Sequence, residues 1–472
     1  MKTRPQVDCS PIARTGRVEN WLNDPTDALP VSCTITVVED SMWGENSITD
    51  SWLFTTYALQ NGAGVAVHLS GLRPAGTVGS TGKIASGPCA FAPVYSALNH
   101  AVRKGNRYKN GAVVLHLDLN HADILEFLRL TRAEVPWVKR CVNINDSLWE
   151  QATAEVKAEL LSGIAKGDIW LCKIRHDKYG RRIYGNVCLE VFLLNRGTCL
   201  LQHISLGGCE VDEIANAFAA GMSELIELHG KTGVDKDGWY RSPKDDRQVG
   251  LGMLGLANLL AIEGVTYSEF ADALEGQEGA TPHAIKIVEA IQQGLDAASK
   301  LARAADMDRA FAIAPTASCS YRAIDREGFT TAPELAPPIG RLVDRDSSTF
   351  GVQQFNYGNV ETAEEVGFDV YFRVVNGIME RLQATGLCHG YSFNSWSDDP
   401  AVSYDEDFIE RWLASPQTSM YYSLQVKENT QAKDDSMVAL DGEFEGLFDF
   451  SALTDPDTEL YSDPSGCVGC AE

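Results

Sequence analysis

The chain lacks a basic field. Its 40 Lys and Arg stand against 65 Asp and Glu, a formal net charge of −25 in 472 residues. Nucleic acid is therefore not an expected partner, because nothing would displace the counterions of a duplex. No apolar run follows the N-terminal Met-Lys-Thr-Arg-Pro-Gln, so no signal peptide is legible. No stretch reaches the ~20 apolar residues of a membrane span. A second Cys-x-x-Cys is also missing. The one present is Cys467-Val-Gly-Cys470, which disfavours a four-cysteine zinc site. Internal repeats and low-complexity blocks are absent. What is left is a cytoplasmic globular protein. Its twelve cysteines suggest redox or metal chemistry rather than structural bridges.

Within those bounds the pattern alternates strands and helices. β-Branched or apolar runs at Ser32–Glu39, Gly64–Ser70, Gly111–Leu119, Ile169–Ile174, Cys199–Leu206, Ala310–Ala314 and Ser419–Val426 read as strands. Helical spacing covers Glu150–Lys166, Asp212–Leu228 with Asp212 as its cap, Thr281–Asp306 and Glu361–Thr385. Alternation of this kind argues α/β, with a largely parallel sheet or barrel. Residues 1–30 read as a polar arm and residues 427–472 as a flexible acidic tail, flanking a catalytic unit over 31–426.

Five stretches carry chemistry. In Asn186-Val187-Cys188-Leu189-Glu190, an extended backbone would put the amide, the thiol and the carboxylate on one face; a core cysteine is the bland alternative. Gly250-Leu-Gly-Met-Leu-Gly255 matches a dinucleotide fingerprint. The residues before it are polar, so a close-packed helix is the preferred reading. The turn Pro315-Thr316-Ala317-Ser318-Cys319-Ser320 follows a strand. It either holds phosphate or bonds to its own backbone. Cys467 and Cys470 form a mobile dithiol or a fortuitous pair. Tyr421 and Tyr422 are core aromatics or redox-active phenols, and for both to serve one relay the strand must bulge or end there.

Taken in order, these stretches resemble the catalytic (large) subunit of class I ribonucleotide reductase, in a compact form. The resemblance runs from about Asp24 to Val426 and includes Pro30-Val-Ser-Cys33, Gly62 to Pro74, Ala85-Ser-Gly-Pro88, Gly111-Ala-Val-Val-Leu115 and Met420-Tyr-Tyr422. It implies a ten-stranded α/β barrel of two five-stranded parallel halves, with a central finger loop carrying Cys188. Cys188 would become the thiyl radical that abstracts the ribose 3′ hydrogen. Glu190 would be the general base and Asn186 would orient it and the substrate hydroxyls. Cys33 and Cys199 would be the reducing dithiol, which places their strands side by side. Cys467 and Cys470 would reset that bond by exchange, and a thioredoxin- or glutaredoxin-like donor would reset the tail. Ser32, Pro315, Thr316, Ala317, Ser318 and Cys319 would bind the substrate. Asp40 and Arg73, with Arg107 and Lys109, would hold a dNTP or ATP effector on loops at about 71–87 and 103–110, within a homodimer.

The same resemblance implies a radical delivered through Tyr421 and Tyr422 from a ferritin-like small subunit with a dinuclear metal centre. This chain itself would hold no metal or cofactor, and its substrate would be a ribonucleoside diphosphate. With only 32 residues ahead of Cys33, no ATP-binding cone is expected. Three alternatives remain. One is an adenosylcobalamin-dependent reductase. Another is a nicotinamide-dependent oxidoreductase built on Gly250, Gly252 and Gly255. The last is a thiol- or metal-binding protein using Cys467 and Cys470.

Overall fold

The computed structural model describes residues 9–25, 29–79, 82–102, 112–347, 351–397 and 404–425. Five parallel strands form one half of the fold: β2 (Cys33–Val37), β3 (Gly64–His68), β4 (Val113–Asp118), β5 (Lys139–Ile144) and β6 (Ile169–Lys173). These strands are buried almost throughout. That explains why they read as continuous apolar runs: parallel sheets are covered on both faces. Helices Ile48–Gln60, Ala92–Ala101, Ile124–Arg129 and Ala154–Ala165 supply one cover. The finger supplies the other. It consists of β7 (Arg175–His176), β8 (Arg182–Gly185) and β9 (Phe192–Leu193), which pair as antiparallel hairpins.

The second half is β10 (Leu201–Ser205), β11 (Gln248–Leu254), β12 (Arg309–Ile313) and β15 (Cys388–Tyr391), again parallel. Between β12 and β15 stands a hairpin of β13 (Leu342–Ser347) and β14 (Gly351–Asn356). β15 leads into β16 (Asn394–Ser397), which pairs in parallel with β18 (Tyr422–Gln425). β17 (Ser419–Met420) pairs antiparallel with β6 at the edge of the first half, and Ser419 Oγ donates to the Tyr391 carbonyl at 2.7 Å. The halves thus run in opposite directions. At the other seam Thr34 bridges Thr198 antiparallel, and the Cys199 N–H donates to the Cys33 carbonyl at 3.0 Å. Each half keeps its own ladder, and single hydrogen bonds link the two, a two-half α/β arrangement. β1 (Ile12–Arg14) lies antiparallel on β10, so the N-terminal arm docks here with its helix Gly16–Asn23.

Two cores follow. A large one lies between strands and helices. A smaller one fills the barrel and contains Cys33, Cys188, Cys199, Trp170 and Tyr421 with Val187, Leu189, Val191 and Phe192 of the finger. Small inward residues leave room for it: a Cβ on Gly64 would press on Val187, and one on Gly252 would run into the Ala312 carbonyl of the neighbouring strand. Gly252→Ala should therefore destabilise the chain by about 1–3 kcal/mol, as overpacking against immobile backbone does. Urea denaturation checks this, and a midpoint equal to the parent's would contradict the crowding.

Several local readings change. Asn186–Glu190 is a turn, not an extended segment, and Leu189 takes φ 65°. Gly250–Gly255 is no helix: five of its six residues lie inside buried β11, and Gly255 alone turns the chain, at φ 74°, into the helix Leu256–Glu263. A pyrophosphate-binding loop has no place there, so the nicotinamide alternative loses its motif. Asp212 does not cap its helix. It sits in a 3₁₀ turn (Val211–Glu213) and pairs with Lys286 at 2.9 Å, while Ile214–His229 starts without a side-chain cap. The expected helix over Glu361–Thr385 breaks at Gly367, φ 74°, into Ala363–Val366 and Phe368–Ala384. Glu150–Lys166 divides at Thr153, which caps Ala154–Ala165. Thr281 does cap Pro282–Ala304, as its hydroxyl and the following proline suggest.

Candidate active site

The finger turn is held from three sides. The Val191 N–H donates to Asn186 Oδ1 at 3.1 Å, and the Asn186 N–H donates to the Val191 carbonyl at 2.9 Å. His68 Nε2 meets the Gly185 carbonyl at 3.0 Å. Ser392 Oγ donates to the Cys188 carbonyl at 2.5 Å and lies 3.3 Å from Glu190 Oε2. Glycine at 390 lets β15 approach, because a Cβ there would press on Thr418 and the Glu190 carbonyl. Asn186, Cys188 and Glu190 are fully buried.

Burial pushes the Glu190 carboxyl up to about 7, and the neighbouring Asn186 amide and Ser392 hydroxyl offset only part of that. Glu190 Oε1 and Asn186 Nδ2 are both buried, and neither has a hydrogen-bond partner among the described residues. Native proteins rarely leave such atoms unsatisfied unless a ligand or water completes them. Cys188 is disulfide-bonded in this structure, so thiol chemistry at that position concerns its reduced form. The Tyr421 hydroxyl lies 3.8 Å from Cys188 Sγ, and its ring packs on Trp170 with centroids 4.5 Å apart. β17 ends at Met420, and the Tyr421 N–H turns to the Phe393 carbonyl at 2.8 Å. This strand break frees Tyr421 from regular alternation. The Tyr422 side chain lies outside the described residues.

Cys33 and Cys199 face each other directly. Thr34 pairs with Thr198, so the antiparallel register sets residue 33 opposite residue 199. Opposed positions have α-carbons about 4.5–5.5 Å apart, within reach of a disulfide. The Cys33 N–H also donates to Cys199 Sγ at 3.0 Å, and both cysteines are present as thiols.

Ser32 is buried at the start of β2. Pro315 and Thr316 leave the end of β12, Thr316 at φ 55°, and Ala317–Ser320 form one helical turn. Thr316 Oγ1 accepts from the Glu334 N–H at 2.8 Å, and Ser320 Oγ donates to the Ala317 carbonyl at 2.9 Å. Two of the hydroxyls therefore serve the protein's own backbone. Cys319 is buried, with Sγ 3.7 Å from the Arg14 carbonyl. The Ser318 side chain is outside the described residues. Asp40 and Arg73 form an ion pair at the surface. Arg107, Lys109, Cys467 and Cys470 fall outside the described residues.

Sequence reasoning missed Ser392, Glu334 and the histidines. Glu334 is buried, its carboxyl pushed up to about 8 by desolvation, with Asn394 Nδ2 donating to Oε1 at 2.5 Å. Its Oε2 has no partner among the described residues. The His68 and His116 rings lie tilted with centroids 4.1 Å apart, and His68 reaches the finger at Gly185. Among the described residues no group of three His, Cys, Asp or Glu could hold a metal, and no helix is long and apolar enough to cross a membrane.

The fold is α/β, with two largely parallel half-sheets around a buried cysteine turn. Comparison with known proteins agrees. Residues 31–180 match the family described as ribonucleotide reductase, barrel domain. The fold is similar to the class Id ribonucleotide reductase alpha subunit of Actinobacillus ureae, with TM-score 0.64 and 16% identity over 88% of this chain and 87% of that one. A vitamin B12-dependent ribonucleoside-diphosphate reductase of Mycobacterium tuberculosis is 28% identical over 322 residues, 59% of this chain and 44% of the relative. A vitamin B12-dependent ribonucleotide reductase of Streptomyces avermitilis is 30% identical over 110 residues, 23% of this chain and 11% of the relative. The chain thus spans less than half the length of these curated relatives. Over residues 31–180 the chain is thus similar to the ribonucleotide reductase barrel domain.

Proposed function

We propose that the chain is the catalytic subunit of a ribonucleotide reductase, acting on ribonucleoside diphosphates. One observation carries this reading: an unpaired buried donor, Asn186 Nδ2, and an unpaired buried acceptor, Glu190 Oε1, flank Cys188 on a single turn. A ribose with its 2′- and 3′-hydroxyls supplies what both atoms lack. In the proposed reaction the Cys188 thiyl takes the 3′ hydrogen, forming S–H and breaking C–H. Glu190 accepts the 3′-hydroxyl proton. The 2′-hydroxyl takes one thiol proton of the Cys33–Cys199 pair and leaves as water, and the other thiol hydrogen goes to C2′. The two sulfurs give two electrons and close a disulfide, and Glu190 returns its proton to the 3′ oxygen. The 3′ hydrogen then returns from sulfur. Ser32 and the turn at Thr316 would seat the phosphates. Cys467 and Cys470, together with a thioredoxin- or glutaredoxin-like donor, would restore the thiols.

Tyr421 favours delivery of the radical from a dinuclear-metal small subunit, because its hydroxyl is the group described beside Cys188 Sγ. The naming of the curated relatives favours adenosylcobalamin instead. Reduction assays with a dinuclear-metal partner, run beside assays with adenosylcobalamin, separate the two. No product under either condition would refute the reading. Asp40 and Arg73, with Arg107 and Lys109, are proposed to bind the dNTP or ATP effector in a cytoplasmic homodimer.

Glu190 must be ionised to accept a proton. With its carboxyl at about 7, kcat/KM should rise with pH and level off above that value. Glu190→Gln should abolish the rise and lower kcat by roughly a hundredfold or more. A parent profile that is flat from pH 6 to 8 would exclude Glu190 as the base.

A further inference from the structure

The finger turn is gripped where its two strands last meet. Gly185 of β8 pairs with Phe192 of β9, and the turn lies between them. The Asn186 N–H donates to the Val191 carbonyl at 2.9 Å. In an antiparallel ladder the pair beside such a bonded one turns its N–H and C=O groups outward. β7 does not reach this far, since its register stops at Arg182 and Ile183. Side chains of the barrel take the outward groups instead. His68 Nε2 donates to the Gly185 carbonyl at 3.0 Å. On the other edge the Phe192 N–H donates to His389 Nδ1 at 3.1 Å, and Arg309 Nε donates to the Phe192 carbonyl at 3.1 Å.

These three side chains come from both halves: His68 from β3, Arg309 from β12 and His389 from β15. All are buried, and each is itself fixed. A carbonyl only accepts, so His68 carries its proton on Nε2. His389 Nδ1 accepts, so its Nε2 bears the proton and gives it to the Val249 carbonyl of β11 at 3.1 Å. Burial keeps both rings neutral, far below the usual histidine value. Arg309 Nη2 is held by Asp246 at 2.6 Å. Earlier on β8, Arg182 makes a two-point pair with Asp118 of β4, 2.7 Å at each oxygen. A turn tied to one half alone would follow that half. This one is tied to both, so its place is set by the relation between them.

We propose that His68, His389 and Arg309 are positioning residues that hold the Asn186–Glu190 turn at a fixed place between the two half-sheets. They act through the backbone of the finger. The grip stands on the geometry alone; its catalytic consequence rests on the reductase reading above. A misplacement of ~1 Å at a reacting centre can cost about a hundredfold in rate. A substrate seated by its phosphates at the Thr316 turn would still bind much as before, because that turn is not part of the finger.

The test uses the full chain in its reduced form. Arg309 stays intact, since its removal would strand the buried Asp246 carboxylate. His389→Leu removes an acceptor and a donor, and His68→Leu removes a donor; His389→Gln and His68→Gln keep them. Amide exchange over residues 186–192, read by peptide mass spectrometry, should quicken at least about tenfold in each leucine variant. It should stay within about threefold of the parent in each glutamine variant. The helix Pro282–Ala304 is the internal control and should exchange at the parent rate. In turnover, the leucine variants should lose at least about tenfold in kcat with KM within about twofold. The isotope effect on kcat from 3′-deuterated substrate should rise, which a smaller active fraction would not produce. Unchanged exchange over 186–192, or a quickening matched in Pro282–Ala304, overturns the proposal. So does faster exchange with kcat and isotope effect unmoved. Selective quickening in a parent that reduces no nucleotide supports the grip and refutes the reductase reading alone.

Discussion

Cys188→Ser should abolish nucleotide reduction, by roughly a thousandfold or more, while nucleotide binding stays within about twofold. The argument is chemical. A serine O–H bond is much stronger than a cysteine S–H bond, so no radical forms there that could take a ribose hydrogen. The structural cost should be small by comparison. Serine is nearly isosteric, and a buried hydroxyl without a good partner costs about 1–3 kcal/mol. Circular dichroism and thermal melting would show the fold retained. Turnover within tenfold of the parent would remove Cys188 from the mechanism.

The second large effect is on stability. Glu190 and Glu334 are buried with carboxyls raised to about 7 and about 8, from an ordinary 4.5. The folded chain therefore holds protons that the unfolded chain releases. Their contribution is complete below pH 4.5. It is lost progressively as pH rises, Glu190 through about 7 and Glu334 through about 8. At about 1.4 kcal/mol for each pH unit of displacement, the raised carboxyls are worth on the order of 3 kcal/mol for Glu190 and 5 kcal/mol for Glu334. Glu190→Gln and Glu334→Gln should each flatten the decline, and each variant should gain on the parent between pH 5.5 and 8.5. Urea unfolding at those two pH values is the measurement. Parallel parent and variant curves would mean that neither acid is held protonated.

The barrel strands were legible because parallel strands buried on both faces leave unbroken apolar runs; Gly64–His68 and Arg309–Ile313 stand where such runs predict them. The finger turn was not. Alternation suggests a strand at Asn186–Glu190, but Leu189 adopts a left-handed conformation that no local signal announces. Gly250–Gly255 misled in the other direction. Its glycines read as helix contacts, yet what they accommodate is the close approach of neighbouring strands, a tertiary fact. At the site, residues 186, 188 and 190 were visible as chemistry. Ser392 and Glu334 were not: Ser392 meets Glu190 from 202 residues away, and Glu334 is bonded to Asn394, 60 residues on.

The two seams also bear on how the molecule forms. The contact between Cys33 and Cys199 joins residues 166 apart. That between Cys172 and Ser419 joins residues 247 apart, from the difference of their numbers. Neither can form until a long loop has closed, and such non-local pairing is slow. Ring closure around the finger should therefore be the last kinetic event in folding, and a nascent chain paused before residue 388 would still expose the greasy hairpin that the finished cylinder swallows.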